Sequence, residues 1–246
     1  MQLLAVSTLA VFVARALASE TITGQWTCVN AGDYQLCQDL WGEDTDDATS
    51  GSQNATLYSA SGDAISWSTT YTWAGGEYDV KSYTNVQQTS ANGMTLSKIT
   101  SAPTSWTWEY QSISSDLVAD VSYDIWIGTT ASGAGTNTTT YEVMIWVSTE
   151  GGAGPLGSVI KSGISVGGYA WDLYSGENTY WTTVSFVTTE GNLNDFSSDL
   201  KDFFTYLIDN IGMDSSNYLQ SVESGTEPFT GSATLYTESF AVTINT

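Results

Sequence analysis

The chain has 246 residues, of which 27 are acidic, five are basic and none is histidine, so its net charge is −22. A field of that sign repels anionic ligands, and nucleic acids, phosphorylated metabolites, polyuronic acids and membrane surfaces are therefore poor candidate partners. The missing histidine argues against the common zinc, copper and iron sites and against Ser–His or Cys–His nucleophiles. What remains is a neutral ligand and carboxylate chemistry, with no metal or other cofactor implied.

Residues 1–18 have the pattern of a signal peptide. An apolar stretch from Leu3 to Val13 is followed by small residues at the predicted cleavage point, Ala18 and Ser19. The alternative is an apolar N-terminal strand. No later stretch has the roughly 20 consecutive apolar residues that a membrane helix needs. We therefore expect a secreted protein whose single domain spans residues 19–246.

Two further features fit export. Cys28 and Cys37 are the only cysteines, and with Gly32 between them they could join the two arms of a hairpin. Asn54 and Asn137 each begin an Asn-X-Thr sequon and are candidate N-glycosylation sites.

Short alternating runs rich in β-branched and aromatic residues predict strands along most of the chain. These runs are Ile65–Trp73, Trp106–Tyr110, Val118–Ile127, Tyr141–Ser148, Tyr180–Thr188 and Ala233–Ile244. One segment differs, because apolar residues from Leu200 to Ile211 recur at helical spacing, after Ser197 as N-cap and before Gly212 as the stop. We predict an all-β jelly-roll β-sandwich of two antiparallel sheets with one amphipathic helix packed outside.

Alternation along two of the runs predicts a face that carries acids. Side chains of successive strand residues point to opposite faces, so Tyr141–Ser148 places apolar residues in the core and the others opposite. The opposite face would carry Glu142, Met144, Trp146 and Ser148, and on Val118–Ile127 it would carry Asp120, Ser122, Asp124 and Trp126. If the two strands pair, Asp124 lies near Glu142 and could tune or orient it.

A second glutamate stands in the segment Gly225–Gly231, which the sequence suggests is a rigid turn at Glu227 and Pro228. A carboxylate and a carboxyl group held protonated are what glycoside hydrolysis requires. Each glutamate alone also fits a structural role, Glu142 as a solvated edge residue and Glu227 as the start of a strand.

Together these segments resemble glycoside hydrolase family 12, a family of microbial endo-β-1,4-glucanases and xyloglucanases with a jelly-roll fold. The resemblance is carried by Gly24–Trp26, Leu40–Gly42, Val80–Tyr83, Ala119–Asp124, Tyr141–Val147, Gly154–Pro155, Val184–Val187, Phe203–Leu207 and Gly225–Gly231. It implies a retaining double displacement with Glu142 as nucleophile, Glu227 as acid/base and Asp124 assisting Glu142. It also implies substrate contacts from Trp26, Trp41, Met144, Trp146 and Asp39, the last standing where the family often has Asn.

The resemblance also bears on substrate and partners. Gly151–Pro155 and Leu173–Gly176 look like the xyloglucan-specific members and would border the cleft, which favours xyloglucan over cellulose or mixed-linkage β-glucan. A non-catalytic, lectin-like glycan-binding module is the alternative of another class. The expected partner is plant cell-wall β-glucan, bound by a monomer, and a plant inhibitor protein is a further candidate.

Overall fold

The computed structural model describes residues 19–44, 50–90 and 92–246, so the predicted signal peptide lies outside the described residues. The described chain contains one α-helix, α1 (Leu200–Ile211), and a single turn of 3₁₀ helix, Leu96–Lys98. Its strands are β1 (Glu20–Ile22), β2 (Cys28–Ala31), β3 (Tyr34–Cys37), β4 (Ser50–Ser61), β5 (Ala64–Ala74), β6 (Thr84–Gln88), β7 (Met94–Thr95), β8 (Pro103–Ile113), β9 (Val118–Gly128), β10 (Thr139–Glu150), β11 (Ser158–Val166), β12 (Tyr169–Glu177), β13 (Thr182–Thr188), β14 (Asp195–Asp199) and β15 (Tyr218–Val242).

The strands form two stacked sheets, and the predicted jelly-roll sandwich is confirmed. The first sheet has the order β1-β4-β5-β15-β8-β14, and the second has the order β2-β3-β6-β15-β9-β10-β13-β12-β11. Neighbouring strands are antiparallel with one exception, since β10 and β13 run parallel. That exception places the strand after the β11–β12 hairpin directly against β10.

The strand β15 belongs to both sheets. Its first part pairs with β9 up to Thr230, and from Gly231 onward it pairs with β5 and β8. Gly231 has φ 95°, and a Cβ there would lie 2.6 Å from the Cα of Leu117. The predicted turn at Gly225–Gly231 is therefore wrong: the segment is the middle of a long strand. Pro228 is accommodated there because the β9 register shifts immediately after it.

The core lies between the sheets, where alternation predicted it. The inward residues of β9 and β10 are fully buried, and they are Val121, Tyr123, Ile125, Ile127, Val143, Ile145 and Val147. Edge-to-face aromatic contacts extend this core, for example between Trp106 and Tyr123 at 5.3 Å. Because this face of the two strands is filled, their alternate side chains must face the other way.

The helix α1 packs through Phe203 and its neighbours onto the end of the core, where the ring of Phe203 lies 5.0 Å from that of Phe186. Its predicted N-cap, Ser197, is wrong, because that residue continues β14. The N-cap is Asp199, whose Oδ1 accepts from the backbone N–H groups of Lys201 and Ala102. The helix ends at Gly212 as predicted, in the left-handed conformation with φ 79°.

The two cysteines lie opposite each other on β2 and β3 and form a disulfide, with a Cα–Cα distance of 4.1 Å. Of the two sequon asparagines, Asn54 is half-buried within β4, whereas Asn137 is exposed in the connection between β9 and β10. Within the described ranges, no helix is both long and apolar enough to cross a bilayer.

Candidate active site

An open cleft of about 990 Å³ runs across the second sheet, on the face that β9, β10 and β15 turn away from the core. No lysine or arginine lines the described part of this cleft. Its lining acids are Asp39, Asp79, Asp124, Glu142, Glu223 and Glu227, and its lining aromatic residues are Trp26, Trp41, Tyr78, Tyr83, Trp126, Trp146, Trp181 and Phe229. Rings and carboxyl groups of this kind suit a ligand with apolar faces and many hydroxyls.

Glu142 stands on β10 and lines the cleft. Two donors bind the same carboxylate oxygen, Oε2: the hydroxyl of Thr183 on β13, and the indole N–H of Trp181 at 3.2 Å. Burial raises the pKa of Glu142, and these two hydrogen bonds act in the opposite direction by favouring the charged form.

Glu227 stands on β15 directly opposite Asp120 on β9. Burial raises its pKa well above the ordinary value, and the charge of Asp120 and a hydrogen bond between the two carboxyl groups raise it further, with smaller effects from Glu142 and Asp124. Asp120 is fully buried. Its Oδ1 accepts from Ser122, and its Oδ2 is buried with no hydrogen-bond donor of the usual geometry among the described residues. Hydrogen bonds with the side chain and the backbone of Glu227 lower the pKa of Asp120, which places Glu227 beside this carboxyl group. Two carboxylates cannot both accept, so this contact requires a proton on one of them.

Asp124 is the third predicted member of the site. It lies on β9 opposite Met144 of β10 and Glu223 of β15, because the two strands pair as expected. Burial raises its pKa well above the ordinary value, and the charge of Glu142 is the next largest cause. The neutral form of Asp124 is therefore favoured, and this carboxyl group lies close enough to Glu142 for the charge of Glu142 to affect its ionisation.

Comparison with known proteins decides the family. The sequence model described as Glycosyl hydrolase family 12 matches residues 32–245. The chain belongs to glycosyl hydrolase family 12. The resemblance carried by the glutamate segments is confirmed, and so is the prediction of a glycoside hydrolase.

Relatives within family 12 match nearly the whole chain. The chain is 46% identical over 250 residues to the xyloglucan-specific endo-β-1,4-glucanase A of Aspergillus niger, covering 99% of this chain and 100% of that one. It is 40% identical over 224 residues to an inactive glycoside hydrolase, XLP1, of Phytophthora nicotianae, covering 90% of each. The catalytic domain of Humicola grisea Cel12A, solved with a soaked thio cellotetraose, superposes with a TM-score of 0.85 at 34% identity, covering 92% of this chain and 99% of that one.

Aromatic side chains line the cleft together with the family 12 carboxyl groups. Trp26 and Trp41, the predicted stacking residues, are 63% and 48% exposed, and both line the cleft. Trp126 meets Trp181 edge to face at 5.1 Å. On the floor, Met144 and Trp146 are buried beside Glu142, and the indole N–H of Trp146 points to the sulfur of Met144.

Asp39 and Glu223 form an acidic end of the cleft. Asp39, a predicted substrate contact, has φ 44°, an uncommon conformation for a residue other than glycine, and burial raises its pKa to about 6. Burial raises the pKa of Glu223 to about 7, while hydrogen bonds from Ser221 and Trp126 oppose the shift. Both carboxyl groups also line a side pocket of about 240 Å³ beside the disulfide.

Sequence reasoning missed several of these residues. Glu223 could have been found, because it lies four positions before Glu227 on one strand and therefore shares its face. Asp120 and Trp126 lie on the face that alternation predicts, but alternation alone assigns them no role. Thr183 and Trp181 gave no local signal, since their contact with Glu142 depends on the parallel β10–β13 pairing.

One of the two predicted cleft loops is wrong. Gly154 and Pro155 line the cleft as expected, together with Leu156. Leu173–Gly176, in contrast, is part of β12, paired with β13 and absent from the described lining. Gly176 in this strand packs closely against the loop that contains Leu156, because a Cβ at Gly176 would lie 2.7 Å from the Leu156 side chain.

Proposed function

We propose that this protein is a secreted retaining endo-β-1,4-glucanase that hydrolyses xyloglucan. The observation that carries the proposal is the pair Glu142 and Glu227 on one cleft, with neighbours that favour opposite ionisation states. Glu142 receives two neutral donors, whereas Glu227 faces a second carboxyl group. Retaining glycosidases use such a pair at a separation of about 5 to 5.5 Å.

In the first step an oxygen of Glu142 attacks the anomeric carbon while Glu227 gives its proton to the departing sugar oxygen. A covalent glycosyl-enzyme forms and the glycosidic bond breaks. In the second step Glu227, now a base, takes a proton from water as the water oxygen attacks the same carbon, and Glu142 leaves as a carboxylate. Asp124 assists by keeping a proton beside Glu142 rather than a second negative charge.

The substitution Glu142→Gln tests this assignment. It keeps the shape of the side chain but removes the nucleophile, so release of reducing sugar should fall to background while the melting temperature stays close to that of the native enzyme. Glu150→Gln, at the end of the same strand and outside the described cleft, is the matched control. Substantial residual hydrolysis by the folded Glu142→Gln variant would refute the proposal.

Xyloglucan is favoured over unbranched glucan because the Aspergillus niger relative, 46% identical over nearly the whole chain, is named for that substrate. We expect faster hydrolysis of tamarind xyloglucan than of barley β-glucan at equal mass concentration. The runner-up is an endoglucanase acting on cellulose or mixed-linkage β-glucan, and the reverse ranking of the two rates would establish it.

The inactive Phytophthora relative makes a non-catalytic glycan-binding protein the second candidate. Such a protein would bind xyloglucan through the aromatic residues of the cleft without cleaving it. Calorimetric titration alongside the reducing-sugar assay separates the two, because only a lectin would show binding with no product.

We also propose that the chain is exported, acts as a monomer outside the cell on plant cell-wall β-glucan, and is a target for a plant inhibitor protein. The disulfide, the exposed sequon at Asn137 and the acidic charge support an extracellular setting. N-terminal sequencing of the secreted protein should give Ser19 as the first residue, and light scattering should give the mass of one chain.

A further inference from the structure

Thr183 and Trp181 hold one oxygen of Glu142 and leave the other free. Thr183 lies directly opposite Glu142 in the β10–β13 register, is 2% exposed, and donates its hydroxyl hydrogen to Oε2. Trp181 comes from the residue just before β13 and donates its indole N–H to the same atom at 3.2 Å. The protein donors described for this carboxylate therefore converge on Oε2, and Oε1 is the oxygen available to a ligand in the cleft.

The surroundings of Glu142 otherwise oppose its ionisation. Three acids of the cleft interact electrostatically with Glu142, because its charge raises the pKa of each, and they are Asp124 on β9 and Glu223 and Glu227 on β15. No positively charged side chain lines the described part of the cleft to offset them. Burial acts in the same direction, and only the bonds from Thr183 and Trp181 are found to lower the pKa of Glu142.

We propose that Thr183 and Trp181 are positioning residues for the nucleophile, which fix Oε2 so that Glu142 stays ionised and presents Oε1 to the anomeric carbon. The proposal rests on the proposed function, since it takes Glu142 as the nucleophile. Neither residue reacts with substrate; both act through Glu142.

The two donors would have a different effect in each step of the displacement: before the first they keep Glu142 in the carboxylate form that attacks, and in the second they stabilise the carboxylate as it leaves. In the first step Oε1 bonds to the anomeric carbon as the bond to the leaving oxygen breaks, and Oε2 becomes the carbonyl oxygen of the ester. In the second step the bond between that carbon and Oε1 breaks, its electron pair returns to Glu142, and charge reappears on Oε2. Donors already aimed at Oε2 stabilise this charge as it develops.

The test uses Thr183→Val, which keeps the shape of the side chain but removes the donor, and Trp181→Phe, which keeps an aromatic ring against Trp126 but removes the N–H. Each should lower kcat on xyloglucan by about tenfold without raising KM, because a hydrogen bond to a charged group is lost. Each should also move the acid limb of the kcat/KM profile to higher pH by about one pH unit, since losing the donor raises the pKa of the carboxylate.

Two controls keep the test specific. Thr183→Ser retains the hydroxyl and should restore both kcat and the native acid limb. Thr182→Val removes the neighbouring hydroxyl, which bonds to Glu177 outside the cleft, and should change neither. A melting temperature for each variant identifies any that fails to fold, and Trp181→Phe then carries the test alone.

The outcomes distinguish failure of the positioning role from failure of the proposed glucanase function on which it rests. An unchanged acid limb in both Thr183→Val and Trp181→Phe, with Glu142→Gln inactive, overturns the positioning role and leaves the glucanase intact. Equal losses in Thr183→Val and Thr182→Val would also overturn it, as a general packing effect. Activity in folded Glu142→Gln would instead remove the proposed function itself.

Discussion

Glu142 and Glu227 are chemically identical side chains in one cleft, and their immediate neighbours make them different. Hydrogen bonds from a hydroxyl and an indole favour the carboxylate of Glu142. A facing carboxyl group, Asp120, favours the protonated form of Glu227, since two like charges at contact cannot both be ionised. At the scale of the residue, the assignment of nucleophile and acid depends on these neighbours rather than on the glutamates themselves.

A substitution at Glu227 tests that assignment separately from Glu142. Glu227→Gln cannot donate a proton, so hydrolysis of xyloglucan should fall by about 10² to 10⁴. A dinitrophenyl cello-oligosaccharide should still react in the first step, because its leaving group departs without protonation. Added azide should then restore turnover and give a glycosyl azide of retained configuration. Glu238→Gln, exposed on the same strand, is the control, and equal loss on both substrates would contradict the acid/base role.

At the scale of the element, β15 determines where Glu227 lies. The strand carries this residue opposite β9 in one sheet and then crosses into the other sheet at Gly231. Any side chain at Gly231 would approach the backbone of Leu117, which directly precedes β9. The crossing therefore fixes where β9 begins. It thereby fixes the register that places Asp120 opposite Glu227.

The substitution Gly231→Ala should therefore be costly. A positive φ alone costs about 1 kcal/mol for alanine, and overpacking against Leu117 should add about 1 to 3 kcal/mol. Gly191→Ala is the matched control, because Gly191 also has a positive φ, 81°, but nothing within 4 Å of the added carbon. Urea unfolding of both variants measures the difference. Equal destabilisation would show that backbone conformation, and not the close approach, matters at the crossing.

Features of an element that depend on local sequence could be predicted, whereas features that depend on pairing between distant strands could not. The sequence predicts correctly which side chains of β9 and β10 face the core, because alternation is a local property. It also predicts that Asp124 lies near Glu142, because β9 and β10 are consecutive strands that pair as a hairpin. The pairing of β10 with β13 joins strands that are separated in the chain by β11 and β12, so no pattern within either strand predicts it. Leu173–Gly176 is expected at the cleft only through its likeness to xyloglucan-specific members, and pairing with β13 instead makes it part of a strand. Ser197 was an acceptable N-cap, but β14 continues two residues further to Asp199.

At the scale of the whole molecule, the acids of the cleft make stability depend on pH. Burial raises the pKa of Asp120 and Glu223 to about 7 and that of Asp39 to about 6. The folded protein therefore holds protons that the unfolded chain releases near pH 4. Since stability falls with rising pH wherever the folded state binds more protons, unfolding should become easier as the pH rises from about 4 through about 7.

Glu223→Gln isolates one of these groups. Glutamine is neutral at every pH, so the variant should match the native protein near pH 4 and exceed it at pH 8. A pKa of about 7 against an ordinary 4.5 sets the gain. That gain is at most about 3 kcal/mol. Denaturant unfolding at pH 4, 6 and 8 measures it, with Glu238→Gln as the exposed control on the same strand. If native protein and Glu223→Gln lose stability in parallel as the pH rises, Glu223 does not carry the buried proton. The pH dependence must then come from the other buried acids whose pKa burial raises, which are Asp39, Asp120, Asp124, Glu142 and Glu227.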